Sequence, residues 1–267
     1  MFAVLRKEFT RNKTSFVIYC LIAMTFAWMY ISLFPSIQEE SKTIDALLDS
    51  MPSPLMEAFG IEKDSYGKIE TYLAIELMTI FWPLLAGILS ISRAGSAIAG
   101  DIENRTLGIE LGLPISRLKV YFLKFFGNWS AIFAFCFISI FFILPVCYAY
   151  NIEIDESKIV ALFWLSLLFA TTIFSFTFLL SSIFSEKGKV FFISGGVLIV
   201  SYAANILASL SSNFSWMRTI SIYHYFDPLE LLSTGTLCSS SALFFAVVIL
   251  TSIVGGAFYF QRRDISI

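Results

Sequence analysis

Charge is scarce in this chain: 14% of its 267 residues are Asp, Glu, Lys or Arg, against roughly 25% in soluble domains. Histidine is scarcer still. His224 stands alone, so an H-E-x-x-H zinc site cannot form. Cys20, Cys136, Cys147 and Cys238 include no C-x-x-C pair, and the first three lie in apolar runs as small packing residues. No disulfide or metal framework is implied. A P-loop needs glycine five residues before Gly67-Lys68 or Gly188-Lys189, and those positions hold Glu62 and Ile183. All seven aspartates fall outside the apolar runs, which excludes an intramembrane aspartate pair. Phe192-Ile193 before Ser194-Gly195 breaks the pattern of an intramembrane serine elbow. The chain is therefore expected to be no enzyme and to hold no cofactor. A net charge of −2 also argues against nucleic acid as a partner.

What it has in excess is oil. Hydrophobic residues make up 57% of the chain, Phe alone supplies 29, and mean hydropathy is +0.79. Six stretches reach the roughly 20 apolar residues that a spanning helix needs: Ser15–Phe34, Tyr72–Ser92, Phe125–Tyr150, Ile159–Phe184, Val190–Leu210 and Ala242–Phe260. The first is read as a span because its core is too long for a signal peptide and no small-residue cleavage site precedes Gln38-Glu39-Glu40. Of the 18 Lys and Arg, 13 fall at the N-terminus, between spans two and three, between four and five, and at the C-terminus. Only Lys42, Lys63, Lys68, Lys158 and Arg218 fall on the other side. Lys and Arg stay where translocation is least favourable, so both termini are expected in the cytoplasm, in a multi-pass protein of the plasma membrane. Trp28, Tyr30, Tyr148, Tyr150 and Trp164 fit an outer aromatic belt, and Tyr19, Trp129 and Tyr259 an inner one.

The expectation is one all-α membrane domain over residues 1–267. Phe2, Leu5 and Phe9 share a face before Lys13, which suggests an N-terminal interfacial helix. The outer loop 35–71 carries eight carboxylates against three lysines, a solvated face or a cation-attracting vestibule. It includes a turn at Pro52 and Pro54 and an amphipathic piece around Ile44–Leu48. The cytoplasmic stretch 93–124 is helix-compatible from Ala94 to Leu113, broken at Pro114, and restarts at Ser116 as N-cap. Its apolar residues Ile102, Leu107, Ile109, Leu111 and Leu113 form no single stripe. They fit either contact with a partner or a hairpin flat on the headgroups. On the outer side, Asp227-Pro228-Leu229-Glu230 has capping-box order with Gly235 as a stop, which predicts a short re-entrant or amphipathic helix between spans five and six.

Within the spans, Glu76 is the charge to explain. It either lines the outer end of a pathway or snorkels to the interface, about 6 Å from Tyr72 at about 1.5 Å per residue. Span four is dense in hydroxyls (Ser166, Thr171, Thr172, Ser175, Thr177, Ser181, Ser182), and span five carries Ser194, Gly195, Gly196, Ser201 and Asn205. These serve close helix packing or, in the alternative, a polar pathway with Thr171, Ser175 and Asn205 on its wall. Pro83 and Pro145 predict kinks, and Trp82 is expected to pack between helices.

The stretch Gly100-Asp101-Ile102-Glu103-Asn104-Arg105-Thr106-Leu107, continuing to Leu113-Pro114-Ile115-Ser116-Arg117 and Lys124, resembles the cytoplasmic motif of type-2 ATP-binding-cassette (ABC) export permeases. Arg6-Lys7-Glu8-Phe9 resembles that family's start, Phe260-Gln261-Arg262-Arg263-Asp264-Ile265 its ending, and Pro54–Gly60 with Tyr72 a subgroup with a long first outer loop. Arg105 stands where the family usually has glycine, and Asp101 where Glu is common. The resemblance implies a permease that pairs with a second copy or homologue and is driven by a separate ABC ATPase subunit. It further implies that Asp101, Glu103, Arg105, Thr106 and Leu107 form the coupling helix, braced by Glu8 and Arg117. Arg262, Arg263 and Asp264 would lie at the inner boundary. A competing expectation is a subunit that transports nothing and passes ATP-driven motion to an extracytoplasmic partner. Membrane lipid surrounds the chain in either case.

Overall fold

A computed structural model describes residue 8 and residues 13–39, 67–112, 114–210 and 212–263 of the chain. Apart from Glu8, the expected interfacial helix before Lys13 lies outside the described residues, as do the elements expected in 40–66, Leu113 and Asp264. All regular secondary structure among the described residues is helical. Six helical stretches are long and apolar enough to cross a membrane. The first is α1 (Lys13–Glu39). The second runs through α2 (Ile69–Leu73), a π-helical turn pair (Ala74–Phe81) and α3 (Trp82–Ala97). The third joins α6 (Arg117–Phe141) to α7 (Ile143–Ala149). The others are α8 (Glu156–Ile183), α9 (Lys187–Leu210) and α11 (Ser239–Arg262). Between spans two and three lie α4 (Ala99–Glu103) and α5 (Leu107–Leu111), and α10 (Pro228–Thr234) precedes the last span.

Pro83 and Pro145 interrupt their helices for the same reason. Proline donates no N–H, and its ring crowds the carbonyl four residues back. Before Pro83 the chain widens to i→i+5 bonding, and the Trp82 amide donates to the Leu77 carbonyl. Before Pro145, whose ring would meet the Phe141 carbonyl, α6 ends at Phe141 and α7 begins at Ile143.

Span four is the central post. It packs against α11, α3, α6 and α9, and 72% of its apolar window is buried. In lipid, apolar burial alone does not drive helices together, so interhelical hydrogen bonds and close fit carry more of the association. Trp82 donates its indole N–H to Ser139 Oγ at 2.9 Å, between the Phe135 and Phe226 rings. Ser90 Oγ donates to the Ala170 carbonyl at 3.3 Å, and Tyr121 donates to the Ile253 carbonyl at 3.0 Å. Glycine is required beside that tyrosine, because a Cβ on Gly256 would come within 2.5 Å of its oxygen. At Gly95 a Cβ would meet the Phe191 ring at 2.5 Å, so this glycine lets α9 lie against α3.

The end rich in Lys and Arg departs from the expected single helix over 94–113. The helix breaks at Ile98 and again at Arg105. Arg105 has φ +56°, a left-handed conformation that costs an L-residue about 1–2 kcal/mol. The Thr106 amide donates to the Asp101 carbonyl at 2.8 Å and the Arg105 amide to the Ile102 carbonyl at 2.9 Å. These are the paired bonds of a Schellman cap, whose left-handed position favours glycine. The glycine usual in the related motif therefore has a backbone reason. Ser116 caps α6 by accepting from the Lys119 amide at 3.3 Å, and the helix starts eight residues before Phe125.

At the opposite end, Asp227 Oδ1 accepts from the Glu230 amide at 2.9 Å and Gly235 ends α10 at φ +75°. Ser201 and Ser221 lock α9 to the chain that precedes α10: Ser221 Oγ donates to the Ser201 carbonyl and Ser201 Oγ accepts from the Ile222 amide, both at 2.8 Å. Burial first, then the Arg218 guanidinium, hold the nearby His224 below its ordinary pKa.

Candidate functional site

The basic end contains a buried cluster of charges that no single stretch of sequence announces. Lys124 lies on the second turn of α6 and is 0% exposed. Its ammonium meets Glu8 Oε1 at 3.1 Å, Glu110 Oε2 at 2.7 Å, and the Asp101 carboxylate. Asn128, four residues on and so on the same helix face, donates Nδ2 to Glu8 Oε2 at 2.8 Å and to the Lys124 carbonyl at 2.9 Å. Thr106 donates its hydroxyl to Asp101 Oδ1 at 3.1 Å, which orients that carboxylate toward Lys124. Arg93, also buried, donates to the Glu8 carbonyl at 3.5 Å. Glu8, α4, α5 and α6 are thus tied through one lysine.

The oxygens of Glu8, Asp101 and Glu110 lie within 4.8 Å of one another, a spacing that suits a cation. The Lys124 ammonium already contacts all three. It fills the place a metal would take, and the arrangement is that of a structural ion network. Removing one member of such a buried group costs several kcal/mol, because the others stay buried without compensation.

Ser181 of α8 controls where α4 begins. Its Oγ accepts from the Ala99 amide at 2.9 Å and the Ile98 amide at 3.3 Å, and donates to the Gly95 carbonyl at 3.1 Å. The helix break after Ala97 is therefore satisfied by span four. Glu103, exposed, accepts from the Lys187 backbone amide at 2.9 Å, in the first turn of α9. Arg263 donates to the Ser182 carbonyl at 2.8 Å, the Phe184 carbonyl at 3.3 Å and the Ser185 hydroxyl, capping the end of α8. Its own carbonyl accepts from Arg117 at 2.7 Å.

A family model for the ABC-2 family transporter proteins matches residues 2–265. The chain belongs to that family. No curated protein sequence matches it. An ABC-2 permease is a membrane transport subunit of an ABC transporter, not its catalytic subunit, and the family works with an ABC ATPase subunit. In this ABC-2 permease the residues expected at the coupling surface divide in two. Asp101, Leu107 and Glu8 are buried; Glu103, Arg105 and Arg117 are exposed, with Thr106 between them. Glu8 and Arg117 occupy separate networks, since Glu8 pairs with Lys124 and Arg117 with the Arg263 carbonyl.

The residues expected along a pathway lie on spans two, four and five. Glu76 is half-buried in the π-helical segment. Thr171 accepts from the Trp129 indole at 3.0 Å, a bond between α8 and α6. Ser175 Oγ is buried with no hydrogen-bond partner among the described residues, and Asn205 lies half-exposed on α9 with its carbonyl accepting from Ser209 at 3.2 Å. Thr171, Ser175 and Asn205 share no hydrogen bond.

Sequence reasoning gives Arg93, Glu110 and Asn128 no site role, places Ser181 only among the hydroxyls of span four, and counts Lys124 only as a basic residue and a motif match. One local signal was there: Lys124 and Asn128, four apart, flank Phe125-Phe126 in an otherwise apolar helix. That pattern marks a polar face turned inward.

Proposed function

We propose that this permease subunit forms, with a second copy or a homologue, the export pathway of an ABC transporter in the plasma membrane. Both termini and the α4–α5 hairpin face the cytoplasm, where a separate ATPase binds. Glu103, Arg105, Thr106 and Leu107 belong to the coupling element, with Asp101 and Glu8 fixing it from behind and Arg117 bracing the end of the last span. ATP-driven closure of the ATPase displaces the hairpin, and the helices exchange inner for outer opening as a population shift.

One observation carries this reading. On the hairpin, Ile109 is 76% exposed beside exposed Glu103 and Arg105, at the end that holds most of the Lys and Arg. An apolar residue presented on a platform fixed by buried ion pairs suits insertion into a protein groove. The test is Ile109→Asp, with the ATPase co-purified from the same membranes. The variant should keep the wild-type melting temperature and lose the ATPase. Full retention of the ATPase would remove the hairpin from the contact. ATP-driven efflux from proteoliposomes then separates export from transmission of motion to an outer partner.

A further inference from the structure

We infer that Glu103 is a positioning residue that links the coupling element to span five, so that displacement of α4 is delivered to α9 and not only along the chain to spans two and three. This rests on the functional reading above. It begins from how differently the two ends of α4 are held. At its start, the Ile98 and Ala99 amides are fixed by Ser181 of span four, the most buried helix. At its finish, the Glu103 carboxylate accepts from the Lys187 amide, where α9 begins. The span between Ala99 and Glu103 is a lever of about 6 Å, at about 1.5 Å per residue.

The output side is much less buried than span four. Only 22% of the apolar window of α9 is buried, and Gly188, Gly195 and Gly196 have nothing within 4 Å of where a Cβ would stand. The turn between spans four and five is held on the span-four side, where Arg263 binds the Ser182 and Phe184 carbonyls and the Ser185 hydroxyl. The end of span four is thus pinned by hydrogen bonds, while the start of span five is held by the Glu103 carboxylate and by the packing of Val190 and Phe191 beside Gly95. A carboxylate at a helix N-terminus is favoured both by the amide hydrogen bond and by the helix dipole. It comes here from a residue 84 positions away.

Two measurements test the link in nanodiscs. The first needs no ATPase: hydrogen exchange of a peptide covering residues 185–192. Glu103→Ala should raise its exchange roughly tenfold, while Glu103→Gln, whose amide oxygen still accepts, should raise it less than about threefold. Equal exchange in wild type and Glu103→Ala overturns the inference. The second uses spin labels on Lys119→Cys and Lys189→Cys, both exposed positions, in the permease bound to its co-purified ATPase. ATP with vanadate should shift the label distance in wild type and in Glu103→Gln, and leave it unshifted in Glu103→Ala at equal ATPase content. The same shift in Glu103→Ala overturns transmission through this residue. A wild-type permease that holds no ATPase overturns the functional reading and the transmission with it. A retained exchange difference then assigns that failure to the reading and not to the contact.

Discussion

Spans four and five follow one another after a short turn and have nearly equal hydropathy, 2.2 and 2.0, yet 72% of one window is buried and 22% of the other. Hydropathy therefore reports insertion into the membrane, not position within the bundle. The difference lies in what the small and hydroxylated residues do. In α8, Ser166, Thr171, Thr172, Ser175, Thr177, Ser181 and Ser182 are all buried, and two of them, Thr171 and Ser181, bond to other helices. In α9, Gly195 and Gly196 face open space within this chain. One span is a fixed post and the other is lightly held. The same contrast recurs in α4, where Asp101 points into the ion network and Glu103, two residues on, reaches span five.

The largest expected effect breaks the fixed side. Lys124→Met leaves Glu8, Asp101 and Glu110 facing one another without their shared cation. Truncating one partner of a buried ion group costs about 3–5 kcal/mol. The variant should accumulate poorly and unfold far earlier in a thermal melt in detergent. Glu103→Ala, on the exposed side of α4, should cost only about 1–1.5 kcal/mol, the worth of one hydrogen bond. Similar losses in the two variants would erase the distinction between a fixed and a lightly held face.

Next comes the post itself. Ser181→Ala strips the acceptor from two backbone amides at the α3–α4 break, and buried donors left unpaired cost about 1–3 kcal/mol. Ser194→Ala in α9 removes a hydroxyl that is buried without a hydrogen-bond partner among the described residues, so its cost should be near zero. Chemical denaturation of the two variants side by side checks the ranking, and a reversed order would contradict it.

Much of this architecture was legible in the chain and part was not, for a physical reason. Six spans, the Ser116 cap and the Asp227–Gly235 helix are local properties, set by runs of apolar residues and by side chains within a few positions of the amides they serve. The ion network is not local. Glu8, Asp101, Glu110 and Lys124 meet only after the helices pack, and separation along the chain gives no hint of it. Thr106 illustrates the boundary: its place and that of Asp101 in the motif were visible, while the bond between them was not. The break at Arg105 was half visible, since an arginine in a position usual for glycine is a sequence fact whose backbone meaning needs φ.

That position supplies the third test. Arg105→Gly should stabilise the permease by about 0.5–1 kcal/mol, because relief of the left-handed strain exceeds the added freedom of the unfolded chain. A higher melting temperature with an unchanged hydrogen-exchange pattern in α4 would show that the Schellman cap tolerates arginine at a cost. A lower one would mean that the Arg105 side chain itself makes a contact worth more than the strain, and would move it from the backbone's account to the surface's.

The smallest effects separate packing from passage inside span four. Thr171 and Ser175 are one turn apart, both buried, and both were candidates for a polar wall. Thr171 accepts from the Trp129 indole, so Thr171→Val should cost about 0.6 kcal/mol, the mean for interhelical hydrogen bonds in a bilayer. Ser175 has no such bond, and Ser175→Ala should leave the melting temperature within error. If both hydroxyls serve only packing, neither substitution changes the rate of ATP-driven efflux beyond what its stability loss explains. A Ser175→Ala permease that melts normally and exports slowly would put that hydroxyl on the pathway, because a group that contributes nothing to packing can then act only on what passes it.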